Sequence, residues 1–182
     1  MALAHAILVS LLDCPSSGYD LAKRFDRSVG FFWDASHQQI YRELAKLEGD
    51  GHLTAEKIDQ EGRPNKKIYE VTPKGYQFLQ AWIIQPVEIS PLKDDLLVKL
   101  FGGYVVPKTV ILEELEQHFQ QHQARLGEYR AIQATFLEHV GPLSLKAEYQ
   151  YLTLLNGLKY EEGWLTWCQE AIARLKQIND PG

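Results

Sequence analysis

SHQQIYRELAKLEGDGHLTAEKIDQEGRPNKKIYEVTPKG, Ser36–Gly75, decides how the chain folds. Ser36 followed by Gln39 is a capping-box pattern, in which the hydroxyl and the amide reach each other's backbone N–H. The helix it opens carries Ile40, Leu44 and Leu47 at i, i+4 and i+7, an apolar stripe. His37, Gln38, Tyr41, Arg42 and Lys46 fall on the opposite face. Gly49 and Gly51 end the helix, with Gly51 expected in the left-handed cap position. Two extended runs follow, about Leu53–Ile58 and Lys67–Thr72, around a turn-rich Asp59–Asn65 that contains Pro64. Tyr69 and Val71 should face the core. Thr72 and Pro73 then start another helix, as N-cap and first helical residue.

Upstream, the apolar MALAHAILVSLLDC has no basic leader and stops at Asp13, so it reads as a buried first helix, about Ala2–Leu12, rather than a signal peptide. It is too short to span a bilayer. Its apolar set is Leu3, Ile7, Leu8, Leu11 and Leu12. Ser17 and Asp20 form a second capping-box pattern, before a helix with Tyr19, Leu21, Ala22 and Phe25 near one face. Phe31, Phe32 and Trp33 are expected in the core. The order helix, helix, helix, strand, loop, strand is that of a winged helix-turn-helix. An α-helix fits the major groove of B-DNA, and a flanking hairpin can lay basic side chains along phosphates.

Downstream, the helix from about Pro73 to Ile84 should bury Tyr76, Leu79 and Ile83. Gln85–Pro91 holds two prolines and is the expected boundary, giving domains 1–86 and 87–182. Beyond it the chain reads as helical over about Leu92–Gly102, Pro107–Val140 and Leu143–Ile178. The middle helix repeats Leu112, Leu115, Phe119, His122, Leu126, Tyr129, Gln133, Phe136 and Val140 at coiled-coil spacing. The last carries Trp164, Cys168, Ala171, Leu175 and Ile178. One antiparallel pair cannot cover two such stripes, so a second copy of the chain is expected. The fold class is therefore mainly α with a small β-hairpin wing: a winged helix-turn-helix followed by long antiparallel helices.

Composition limits function. The 182 residues have 45% apolar and 24% charged side chains, ordinary for a globular protein, and a net charge of −5. Residues 1–86 account for −1 of that and the rest for −4. Nucleic-acid affinity must then come from where the positive charges stand, not from their sum. Cys14 and Cys168 lie far apart, outside any CxxC pair, and read as thiols of a reducing cytosol. No nucleophile with a base, phosphate-cradling glycine loop or apolar acid pair marks an enzyme. Glu114, His118 and His122 share a helix face, a spacing that can hold zinc, but no further ligand stands out, and no metal or other cofactor is expected.

Three stretches resemble the PadR family of bacterial transcriptional regulators: SGYDLAKRF at Ser17–Phe25, FFWDASHQQIYRELAKLEGDGHL at Phe31–Leu53, and EGRPNKKIYEVTPKG at Glu61–Gly75. The second half is similar to the family's C-terminal helical domain in arrangement. The resemblance implies a cytoplasmic homodimer, acting as a repressor on a pseudo-palindromic double-stranded operator, with no role at a membrane. It places Gln38, Tyr41 and Arg42, with Tyr19, His37 and Lys46 beside them, on the DNA-reading surface. Arg63, Asn65, Lys66 and Lys67 fall on the wing. It also implies release by a small aromatic or hydrophobic effector near the dimer interface, where Trp82, Trp164 and Trp167 are the candidate lining residues.

Other roles compete at these positions. Tyr41 and Tyr19 can pack on the helical core. Arg42 and Lys46 can pair with Glu43 or Asp50. Arg63, Lys66 and Lys67 can guard an edge strand. The three tryptophans can pack the dimer interface. The chain departs from the family in two respects: Gly49 weakens the recognition helix by about 1 kcal/mol against Ala, and the first half is not net basic. A winged helix turned to protein–protein interaction, without specific DNA binding, is the alternative function.

Overall fold

The computed structural model describes residues 2–25, 33, 35–58, 66–89, 91 and 93–178. The chain divides into two compact units, Met1–Ser90 and Pro91–Gly182.

The first unit contains α1 (Ala2–Asp13), β1 (Ser16–Ser17), α2 (Gly18–Phe25), α3 (His37–Gly49), β2 (Leu53–Ile58), β3 (Lys66–Val71) and α4 (Pro73–Ile83). The strands form an antiparallel sheet in the order β1-β3-β2. Its core is one cluster: Ile7, Leu8 and Leu11 of α1, Leu21, Ala22 and Phe25 of α2, and Ile40, Leu44 and Leu47 of α3. Leu53, Tyr69 and Leu79 close it, with Val71 packed against its rim. The stripe read for α3 and the inward Tyr69 and Val71 of β3 are as expected.

Four details differ from the sequence reading. Two serines too few to show alternation, Ser16 and Ser17, pair with Tyr69 and Ile68 as a third strand. This makes β3 central at Tyr69 and Ile68, while Lys66 and Lys67 lie beyond that pairing and have only β2 beside them. In α1, Leu12 is exposed, while His5 and Ser10 are buried beside the leucines. In α4, Tyr76 and Ile83 are exposed; the inward face is Gly75 and Leu79, with the Phe78 and Trp82 rings stacked on either side of buried His5. Trp33, expected in the core, is 41% exposed; Phe31 and Phe32 lie outside the described residues.

The second unit holds α5 (Asp95–Phe101), a 3-10 turn (Gly103–Val105), α6 (Lys108–Leu137) and α7 (Leu145–Gln177). Contacts that pair the start of α6 with the end of α7, Glu116 with Lys176, and Gln133 with Tyr151, make the two long helices antiparallel. Leu115, Leu126 and Tyr129 of the expected seam are buried, whereas Val140 lies beyond the helix end and is exposed. Gly157 of α7 seats the Tyr129 ring: a Cβ there would come 2.8 Å from Tyr129 Cε2.

Candidate nucleic-acid interface

The third helix is fixed at both ends. At its start, Ser36 Oγ accepts from the Gln39 N–H at 3.3 Å, and Gln39 Oε1 accepts from the Ser36 N–H at 2.8 Å. The capping box read from the sequence is complete. At its end, Gly51 takes φ +74°, the conformation that favours glycine. The His52 N–H then reaches Leu47 O at 2.8 Å and the Gly51 N–H reaches Glu48 O at 3.0 Å, a Schellman closure.

The start of α4 clamps that closure. Thr72 Oγ1 accepts from the Gly75 N–H at 3.0 Å as N-cap and lies 2.8 Å from Gly51 O, to which it donates. Lys74 Nζ donates to Asp50 O at 2.7 Å, placing a cation at the negative end of the α3 dipole. The start of α4 meets the turn after α3 so closely that a Cβ on Gly75 would sit 2.1 Å from His52 O. Only glycine fits there.

With Ile40, Leu44 and Leu47 buried, the other face of α3 points outward. His37, Gln38, Tyr41, Arg42 and Lys46 are all exposed. Arg42 makes no ion pair among the described residues, and Lys46 lies 3.9 Å from Glu43 on its own helix. The Tyr41 ring lies over Gly18, where a Cβ would come 2.5 Å from its Cε1, and it stays 46% exposed. It is both a packing residue and a surface one. Tyr19 is more open, at 64%.

The hairpin lysines behave differently. Lys66 Nζ lies 2.6 Å from Asp20 Oδ2, and Lys67 Nζ lies 2.9 Å from both Glu48 oxygens. Asp20 does not return to the Ser17 backbone, as a reciprocal capping box requires. Ser17 Oγ accepts its N–H at 3.1 Å and donates to its carboxylate at 2.8 Å, and the carboxylate turns to Lys66. The hydrogen bonds from Lys66, then from Ser17, hold the Asp20 carboxyl below the ordinary carboxylate range. The Glu48 hydrogen bond raises Lys67 above the usual ammonium value. Sequence reasoning missed Asp20 and Glu48 as partners; their only signal was an acid on each helix beside a basic wing. Arg63 and Asn65 lie outside the described residues.

The candidate effector residues fall in different units. Trp82 of the first unit stacks on His5, with ring centroids 4.3 Å apart. Trp164 and Trp167 of the second meet edge to face at 5.1 Å and pack with Leu96, Ile111 and Leu115. Trp164 also stacks on His122 at 4.7 Å. The His122 Nδ1 is 2.5 Å from the buried Glu161 Oε2, a partner the sequence did not reveal because one acid on a charged helix looks solvated. Glu114 is taken by Lys99. Among the described residues no three His, Cys, Asp or Glu side chains converge to hold a metal, and no helix is long and apolar enough to cross a membrane.

Known proteins share this fold over nearly the whole chain. Residues 7–81 match the transcriptional regulator PadR-like family, and residues 92–176 match the virulence activator alpha C-terminal family. A Mycobacterium tuberculosis protein named as a transcriptional regulator, Rv1176c, is 37% identical over 187 aligned residues, covering 97% of this chain and 99% of that one. The negative transcriptional regulator PadR of Bacillus subtilis is 29% identical over 95% of this chain and 97% of its own. Its crystal structure with operator DNA superposes with a TM-score of 0.84 at 28% identity, covering 96% of this chain and 98% of that one. Its structure with p-coumaric acid gives 0.75 at 26%, covering 97% and 96%.

Proposed function

Because the chain belongs to the PadR-like family of transcriptional regulators, we propose that it binds a pseudo-palindromic operator as a homodimer and represses transcription in the cytoplasm. Residues 1–86 are the DNA-binding domain in this reading and 87–182 the dimerisation domain. One observation carries it. The third helix is capped at both ends, seated by Ile40, Leu44 and Leu47, and offers His37, Gln38, Tyr41, Arg42 and Lys46 to the outside. Gln and Arg on such a face are the side chains that pair bidentately with adenine and guanine edges. Tyr19 flanks them, and Arg63, Asn65, Lys66 and Lys67 of the wing supply phosphate contacts. Two such helices, about 34 Å apart in a dimer, meet two half-sites one turn apart.

Repression is supported by the name of the Bacillus subtilis relative, a negative regulator. Its complex with p-coumaric acid supports a small aromatic effector for this chain too, with Trp82, Trp164 and Trp167 as the residues that sense it. An effector that prefers a dimer of different helix spacing lowers DNA affinity by that preference.

Fluorescence anisotropy on a labelled duplex from the region upstream of the protein's own gene tests the reading. Tight binding that weakens steeply with salt is expected, and Arg42→Ala should cost about 1–3 kcal/mol of it. A chain that binds no neighbouring promoter at about 50 mM salt has another function.

A further inference from the structure

Lys66 and Lys67 leave β3 on opposite sides, because successive residues of a strand face opposite ways. Each ends on a carboxylate of a different helix. Asp20, in the first turn of α2, holds Lys66 at 2.6 Å, and Glu48, in the last turn of α3, holds Lys67 at 2.9 Å. The four side chains are between 33% and 48% exposed, so both pairs sit at the surface. Ion pairs this exposed are weak and readily exchanged. We propose that Asp20 and Glu48 are built-in substitutes for DNA phosphates, occupying Lys66 and Lys67 in the free protein and giving them up when a duplex arrives.

This rests on the DNA-binding reading and adds a sign to it. Each lysine that reaches a phosphate leaves a bare carboxylate facing a polyanion, which opposes the gain. The two acids therefore lower affinity for any duplex, whatever its sequence. Non-specific binding, which phosphate contacts supply almost entirely, is held down in this way. If the bridges instead only braced the hairpin, neutralising the acids would loosen it and weaken binding. The two roles predict opposite changes.

The test is D20N/E48Q in the full-length protein, by fluorescence anisotropy on the upstream duplex and on a random-sequence duplex of equal length. Binding to both should tighten about threefold to tenfold at low salt, the worth of two exposed pairs. The slope of log affinity against log salt should steepen by up to about two, one per freed lysine. Adding K66A/K67A should cancel the gain, since a cycle isolates the pairwise effect. The single variants D20N and E48Q, each with a smaller gain, keep the test open if the double variant melts early. Unchanged or weaker binding on a duplex that the wild type holds overturns the inference alone. So does a gain confined to the upstream duplex, or one that survives the loss of both lysines. A wild-type chain that binds neither duplex overturns the DNA-binding reading and this inference with it.

Discussion

The two units bury their apolar side chains to very different extents. In the first, Ile7, Leu8, Leu11, Leu21, Phe25, Ile40 and Leu44 are all at 1% exposure or less, and four helices and a sheet surround them. In the second, two helices of 30 and 33 residues seal Leu115 and Cys168 to that degree. Leu137, Leu145, Tyr149, Leu152 and Tyr160 stay more than half exposed, as do Phe101 and Tyr104 before them. A helix pair has one shared seam, and each helix here carries more apolar surface than that seam can take. The first unit closes its own core. Its most exposed apolar residues gather at Tyr19 and at Ile83, Ile84, Val87 and Ile89, whereas the second unit spreads them along both long helices.

Removing a buried methyl-rich side chain from the closed core is the largest blow to this contrast. Leu44→Ala deletes a fully buried group between α1, α2 and α3 and should destabilise the protein by about 2–5 kcal/mol in urea titration. Leu152→Ala, at an exposed site of α7, should cost about 0.5 kcal/mol or less in any state that leaves it open. A cost near that of Leu44→Ala would show Leu152 covered by a second chain.

Protein concentration sharpens the same contrast by a smaller amount. If a second copy covers the spare surface, unfolding is coupled to dissociation, and each tenfold rise in concentration stabilises the folded dimer by about 1.4 kcal/mol. The urea midpoint should rise accordingly between dilute and concentrated samples. A midpoint independent of concentration would leave the second unit to stand on its own seam.

The contrast also explains what was legible in the sequence. The ends of α3 and the start of α4 were readable because caps are local: Ser36 with Gln39, Gly51, and Thr72 with Pro73 act within a few residues. The stripe Ile40, Leu44, Leu47 was readable because its period has one solution. Period alone failed on α4, where Tyr76, Leu79 and Ile83 form as regular a row as the face that is buried. Stacking of Phe78 and Trp82 on His5, from the far end of the unit, chose between them. Partners distant in the chain were invisible for the same reason. Nothing near Lys67 announces Glu48, and nothing near His122 announces Glu161. At the candidate interface, then, the outward face of α3 could be read from one helix, but the state of the wing lysines could not.

Acid supplies the finest test when the wild type is compared with Asp20→Asn, because the difference isolates one surface pair of the first unit. The Asp20 carboxyl is held below its ordinary value by Lys66 and then Ser17. In the unfolded chain it should return to about 3.9. A group whose folded value is depressed stabilises the fold above the unfolded value and loses that contribution as pH falls through the folded one. Between these two values the unfolded chain binds more protons, so stability drops with pH there. Asp20→Asn lacks this contribution, and its stability should fall less steeply than that of the wild type below about pH 4. The difference should stay within about 1 kcal/mol, since the side chain is 48% exposed and solvent screens the pair. Identical acid limbs for the two proteins would mean that Lys66 gives Asp20 nothing in solution. The lysine would then already be free for phosphate, and Asp20→Asn would leave DNA affinity where it was.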